Sequence, residues 1–308
     1  MSRAPLTVPP GYGDPVLVRE RVPGGAEEIA GNELFIREVG TGAPALFVHG
    51  LGGNSTNWTD LMWMLSNRLH CVAPDLPGFG RSGPAASGDY SPKAQADVLA
   101  ELIEARFAEP VHLFGNSMGG AISVQLAARH PDLIRSVTLV SPALPDLIPM
   151  RTSIQLPIIA LPGVGEKIAT RIAKLPVEQR VQATLNLVYA DPTCVPPERV
   201  AEAQEDARVL AQKPWVGEAF QSALRGILST YFDRGPDAPW RLAERIKVPV
   251  LLIYGQQDKL VNQRAAKRAS RHFLHCRVMV LPHSGHVSQM EHPEMVERAW
   301  RHLIEPYA

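Results

Sequence analysis

The sequence predicts an α/β protein: a mostly parallel eight-stranded sheet, flanked by helices and interrupted once by a helical insertion. Three observations carry that expectation. Short, nearly all-apolar runs alternate with segments of helical periodicity, as strands buried on both faces of a parallel sheet do. The alternation stops after Val140 and resumes at Val248. A serine, Ser117, stands between one apolar run and one helical segment, with a glycine two residues away on either side.

In chain order, residues 16–22 and 33–39 read as two strands joined by a Gly-rich turn, and residues 44–49 as a buried strand. Residues 57–69 are helix-like, and residues 71–75 form the fourth strand. Residues 93–107 repeat apolar side chains at helical spacing through Ala96, Val98, Leu99, Leu102 and Ile103. The run from Val111 to Gly115 is the fifth strand, a helix follows over residues 121–130, and residues 136–140 are the sixth strand. Strands at residues 248–254 and 277–281, with helices over 263–273 and 293–304, complete the pattern. Between them the composition changes. Pro-rich joints separate helical segments such as 177–189 and 199–210, and no strand pattern occurs. The expected organisation is a core of residues 1–142 and 242–308, with a helical cap over 143–241.

The 308 residues suit one α/β domain with an insertion. Lys+Arg and Asp+Glu each total 31, so no basic stripe offers itself to nucleic acid. Cys71, Cys194 and Cys276 are odd in number and far apart; they match neither a disulfide framework nor metal-ligand spacing, and read as small buried apolar residues. Residues 1–15 lack the apolar stretch of a secretory leader, which points to a cytoplasmic protein by default and leaves surface association open. The longest greasy stretch, residues 156–164, is broken by Pro157 and Pro162 and cannot span a bilayer. Oligomeric state is left open.

The stretch Gly115-Asn116-Ser117-Met118-Gly119 has the form G-x-S-x-G, the nucleophile elbow, a strained strand-to-helix turn that lifts a serine hydroxyl clear of the sheet. It sets Ser117 at a helix N-terminus, where N–H groups and the dipole favour negative charge. Acyl transfer also needs a base, a group that orients the base, and donors for the oxyanion. His286 is the candidate base, since Gly285 lets its loop turn back over the strand ends. His283, three residues earlier, reads as a strand-end histidine. Asp258, after the preceding strand, is the candidate orienting acid, with Asp146 next in line. The expected oxyanion donors are the backbone N–H groups of Met118 and of Leu51, in the glycine-rich loop after the third strand. His49 reads as a structural loop histidine.

With these residues the chain resembles the α/β-hydrolase superfamily. The order Ser117, Asp258, His286 is that of the family. His49-Gly50 is similar to its oxyanion loop, residues 75–82 to the loop after its fourth strand, and Gly285-His286 to its histidine loop. The resemblance covers roughly residues 16–142 and 242–305 and leaves the cap unspecified. It implies that Asp75 is structural. A serine at the elbow, where the family's epoxide hydrolases and dehalogenases carry aspartate, implies carbonyl chemistry with no metal or organic cofactor. The string from Gly115 to Gly120 resembles the meta-cleavage-product hydrolases, which cut C–C bonds. Those relatives usually carry Trp after the histidine and use a cap arginine; this chain has Val287, and Arg171, Arg180 and Arg225 are undistinguished. The favoured expectation is a serine hydrolase of carboxylic esters, with the C–C hydrolase second and a non-hydrolytic ligand receptor on the same fold third. Apolar stretches at 147–150, 156–161 and 219–232 imply an apolar acyl or aromatic substrate, unless they only pack cap on core. Trp58, Trp63 and Trp215 read first as packing residues.

Overall fold

The computed structural model describes residues 18–146 and 156–307. The segments 1–15 and 147–150, read above for a leader and for an apolar cap patch, lie outside the described residues. Eight strands form one sheet in the order β1-β2-β4-β3-β5-β6-β7-β8. They are β1 (Gly24–Ile29), β2 (Asn32–Val39), β3 (Ala43–Val48), β4 (Leu69–Pro74), β5 (Val111–Asn116), β6 (Ile134–Val140), β7 (Val250–Gly255) and β8 (Cys276–Leu281). The β1–β2 and β2–β4 pairs are antiparallel and the remaining pairs parallel.

Strand periodicity splits the core between the two faces of the sheet. On β3, Leu46 and Val48 join one cluster, which is covered by α2 (Pro92–Arg106), α3 (Met118–Arg129) and later helices. Ala45 and Phe47 point the other way, with Phe47 stacked on Phe114 at 4.5 Å. That face is covered by α1 (Thr59–Leu65) and the C-terminal helix, whose Trp300 is fully enclosed. Trp58 belongs to this second cluster, and partly buried Trp63 packs against it.

After β6 the chain builds α4 (Leu156–Ala160), α5 (Val164–Ala173), α6 (Val177–Val188), α7 (Pro197–Ala211) and α8 (Val216–Ser229), and no strand intervenes among the described residues before β7. Next, α9 (Pro239–Arg245) packs beside α3 and α10 (Ala265–His272), and α11 (Ser288–Glu291) and α12 (Pro293–Leu303) end the fold. A third apolar cluster lies away from the sheet: Val181, Leu185, Tyr189 and Val195 close around Val287.

Three expectations are corrected. The first strand is not residues 16–22: residues 16 and 17 lie outside the described residues, and 18–22 carry no strand. The strand is Gly24–Ile29, within the stretch read as a turn. The turn is the two-residue Ala30-Gly31 hairpin, with φ of 50° and 74° and Ile29 paired to Asn32; positive φ at both positions matches the right-handed twist of the flanking strands. Helix α3 begins at Met118 rather than residue 121, which makes Ser117 its N-cap residue. Cys71 is buried but Cys194 is exposed.

Candidate active site

Strand order fixes where a site can form. β3 lies between β4 and β5, and the chain leaves it for β4 on one side and reaches β5 on the other. At such a reversal the loops at the carboxyl ends of neighbouring strands diverge and open a crevice. The loops after β3 and β5 meet there.

Ser117 follows β5 with φ 54° and ψ −116°, a backbone conformation that costs a non-glycine residue about 1–3 kcal/mol. The surroundings hold it in place. The Ser117 N–H donates to the Val140 carbonyl at 3.0 Å, and its carbonyl accepts from Gly120 and Ala143, both at 2.9 Å. The flanking glycines are needed for close packing: a Cβ on Gly119 would overlap the Val48 carbonyl oxygen, and one on Gly115 would overlap Ser123 Oγ. The first N–H groups of α3 have no partner within the helix, so the turn presents the positive end of a 12-residue helix beside the hydroxyl.

The loop after β3 passes directly beside this turn. A Cβ on Gly50 would sit 3.1 Å from Ser117 Cβ. His49 is fully buried, and its Nε2 accepts the Leu76 N–H at 3.0 Å; its proton therefore sits on Nδ1 and is donated to the Gly50 carbonyl at 2.8 Å. Burial pushes the His49 pKa down, which keeps this arrangement neutral. The Gly50 carbonyl also accepts the Gly53 N–H at 3.0 Å. Because the Gly50–Leu51 peptide is trans, anchoring its carbonyl aims the Leu51 N–H the opposite way.

His286 and Asp258 lie on the loops after β8 and β7, and both are buried. Nδ1 of His286 is 2.9 Å from Asp258 Oδ2. Asp258 Oδ1 accepts the N–H groups of Leu260 and Val261 at 2.8 and 3.0 Å. Burial alone would raise the Asp258 pKa; the His286 charge and hydrogen bond, with the two N–H groups, outweigh it and hold the carboxyl below its ordinary value. His283, by contrast, is exposed. Asp75 ties its own loop to the one after β3, accepting from Arg81 N–H and Ser55 N–H, each at 2.7 Å.

Three neighbours take places that the sequence reading did not assign them individually, although Phe220 falls within the apolar stretch 219–232. The Asn116 amide donates to the Val140 carbonyl and to the His286 carbonyl, each at 3.0 Å, and so ties the residue before Ser117 to the histidine loop. The Phe220 ring of α8 lies over the β3 loop, since a Cβ on Gly52 would be 3.3 Å from it. Glu291 binds the backbone around Gly285. Phe232, counted in an apolar patch, is 83% exposed.

Comparison with known proteins agrees with this architecture. The family model described as alpha/beta hydrolase fold matches residues 44–293. Lipase 1 of Psychrobacter immobilis is 27% identical over 272 residues, which cover 85% of this chain and 77% of that one. Among solved structures, a bacterial membrane phospholipase A superposes with a TM-score of 0.74 at 24% identity, covering 91% of this chain and 85% of that one. A meta-cleavage product hydrolase from Pseudomonas fluorescens IP01 gives 0.71 at 22% identity, covering 89% and 95%.

Proposed function

The chain belongs to the alpha/beta hydrolase fold family, and from that premise we propose that it is a serine hydrolase of carboxylic esters with apolar acyl or aromatic groups. The observation that carries the reading is the strained Ser117 at the head of α3, together with the buried His286–Asp258 pair bonded through Asn116 to the same turn.

His286 takes the Ser117 proton as Oγ attacks the ester carbonyl carbon, and Asp258 stabilises the imidazolium that forms. The carbonyl oxygen, now an oxyanion, is met by the N–H groups of Met118 and Leu51. Collapse breaks the bond to the alcohol oxygen, which takes the proton from His286, and leaves an acyl-enzyme. Water then attacks the acyl carbon with His286 again as base, releasing the acid and restoring Ser117. Residues 143–241 act as a cap that shapes the acyl site. A lipase among the relatives supports an ester substrate. The packing of Val287 among Val181, Leu185 and Tyr189 is a further support: where meta-cleavage-product hydrolases usually carry Trp, this side chain belongs to the helical segment's own core.

The test is a panel of p-nitrophenyl esters from acetyl to decanoyl beside a vinylogous diketone, with labelling by a serine-directed phosphonate. Multiple turnover of the esters and phosphonate attachment at Ser117 alone are expected. Diketone cleavage with feeble ester hydrolysis would transfer the site to C–C hydrolysis; a single slow turnover would make it a receptor.

A further inference from the structure

The histidine loop has a second attachment, separate from the Asp258 pair. The main chain of residues 284–286 lies against the corner that ends α6. The His286 N–H donates to the Val188 carbonyl at 2.7 Å. A Cβ on Gly285 would come within 2.6 Å of that carbonyl oxygen and 2.7 Å of the Ala190 nitrogen, so the two chains are in close contact. Glu291, at the end of α11, reaches back over this contact. Its Oε1 accepts the Gly285 N–H at 2.7 Å and the Ser284 hydroxyl at 3.2 Å, while Oε2 accepts the Ala190 N–H at 2.8 Å. One carboxylate thus joins the histidine loop to the helical segment.

The same corner is held from the acid loop. Lys259, next to Asp258, donates to the carbonyls of Asn186 and Tyr189 at 2.6 and 3.1 Å. Beneath the polar contacts, Val287 and partly buried Met290 pack into the cluster around Val181, Leu185, Tyr189 and Val195. Withdrawing a carboxylate from water is costly, and three donors recover only part of that cost, since burial still holds the Glu291 pKa above its ordinary value. An apolar side chain would avoid this penalty but could not accept two backbone N–H groups from different parts of the chain.

We propose that Glu291 is a positioning residue for His286: by binding Gly285 and Ala190 together it fixes the 284–286 main chain against the α6 corner, so that the imidazole keeps its place between Asp258 and Ser117. The inference rests on the Ser117–His286–Asp258 reading above and adds a residue outside it. A misplacement of about 1 Å between reacting groups can cost on the order of a hundredfold in rate, so loss of the clamp is read in the chemical step.

The experiment compares wild type, Glu291→Ala and Glu291→Gln for kcat and KM on p-nitrophenyl butyrate, for the rate of Ser117 modification by a small phosphonate, and for melting temperature. Glu291→Ala is expected to lower kcat and the phosphonate rate together, by tenfold or more, with KM changed less than threefold. Glu291→Gln keeps one acceptor for Gly285 but turns an NH₂ group on Ala190, so it should fall between, with kcat reduced two- to fivefold. Wild-type kcat and phosphonate rate in Glu291→Ala would overturn the proposal, as would a loss confined to KM or to melting temperature. If Glu291→Ala does not fold, Glu291→Gln decides: the stated loss at unchanged melting temperature supports the role, and a wild-type kcat removes it. A wild-type protein that neither turns over esters nor takes up the phosphonate would instead defeat the serine-hydrolase reading itself.

Discussion

Ser117 occupies a backbone conformation that only glycine adopts without strain, and nothing about its hydroxyl requires that strain for stability. The two roles can be separated by substitution. Ser117→Ala keeps the strain and loses the nucleophile, so turnover should fall by about a million-fold with little change in stability. Ser117→Gly should be equally inactive yet more stable than Ser117→Ala by roughly 1 kcal/mol, because relief of about 1–3 kcal/mol exceeds the extra freedom of glycine in the unfolded chain. Urea denaturation of the two variants measures the difference; a less stable Ser117→Gly would mean that the turn stores no strain. His286→Ala should be nearly as damaging to turnover as loss of the serine, since His286 is buried and bonded to Asp258, and His283→Ala mild, since His283 stands exposed at the surface. Asp258→Asn should fold and lose on the order of 10³–10⁴ in kcat through a misoriented imidazole. Asp258 also links stability to pH. Its folded-state pKa lies below that of the unfolded chain, so its contribution is complete above about pH 4 and is lost as the carboxyl protonates on further acidification.

The elements that set these residues in place depend on contacts of unequal visibility. His112 on β5 is buried, with Nδ1 2.8 Å from Ser136 Oγ and its ring edge-on to Trp300, and burial with the nearby Arg135 charge pushes its pKa down to about 4. The unfolded chain binds this proton near pH 6.5. Between those values the unfolded state holds more protons, so stability is full above about pH 6.5 and falls as pH drops toward 4, by about 3 kcal/mol at most. The double variant His112→Leu with Ser136→Ala removes the titrating group and its partner. It should flatten that part of the stability profile in urea melts, and an unchanged slope would assign the effect elsewhere. Buried parallel strands were legible because both faces are largely apolar: β3 and β5 appear as mostly apolar runs, His112 being the polar interruption within β5, and their ends fall within a residue or so of expectation. β1 was not, since Gly24-Gly25-Ala26-Glu27-Glu28 is an exposed edge with no apolar alternation. The placement of Ser117, Asp258 and His286 just beyond β5, β7 and β8 could be read because those strands are legible as apolar runs. Asn116 and Glu291 could not, because each acts on backbone atoms that only the finished fold brings near; for Asn116 the partner lies 170 residues away.

Across the whole molecule, the segment after β6 is anchored to α1, to the stretch before β1 and to the loop after β4. Arg199 of α7 binds Asp60 through Nε at 3.1 Å, Asp206 meets Arg21 at 3.2 Å, and Lys213 donates to the Arg81 carbonyl at 2.7 Å. These contacts hold α7 and, through the following turn, place α8 so that Phe220 lies over the loop bearing Leu51. If this segment caps the acyl site, it sets chain-length preference without entering the chemistry, since Ser117, Asp258 and His286 all stand on loops after sheet strands. Each methylene buried there should contribute about 0.8 kcal/mol, roughly fourfold in kcat/KM, until the pocket is full. The expected profile therefore rises from acetyl to medium-chain esters and then levels or falls. Phe220→Ser and Ile159→Ser should flatten the rise and spare acetyl ester hydrolysis. Phe232→Ser should leave the profile unchanged, because that ring already stands in solvent at 83% exposure. A wild-type preference for acetyl over hexanoyl esters would refute an apolar acyl site. A profile flattened by Phe232→Ser and untouched by Phe220→Ser would move the acyl chain away from the Gly52 loop, toward the turn that follows α8.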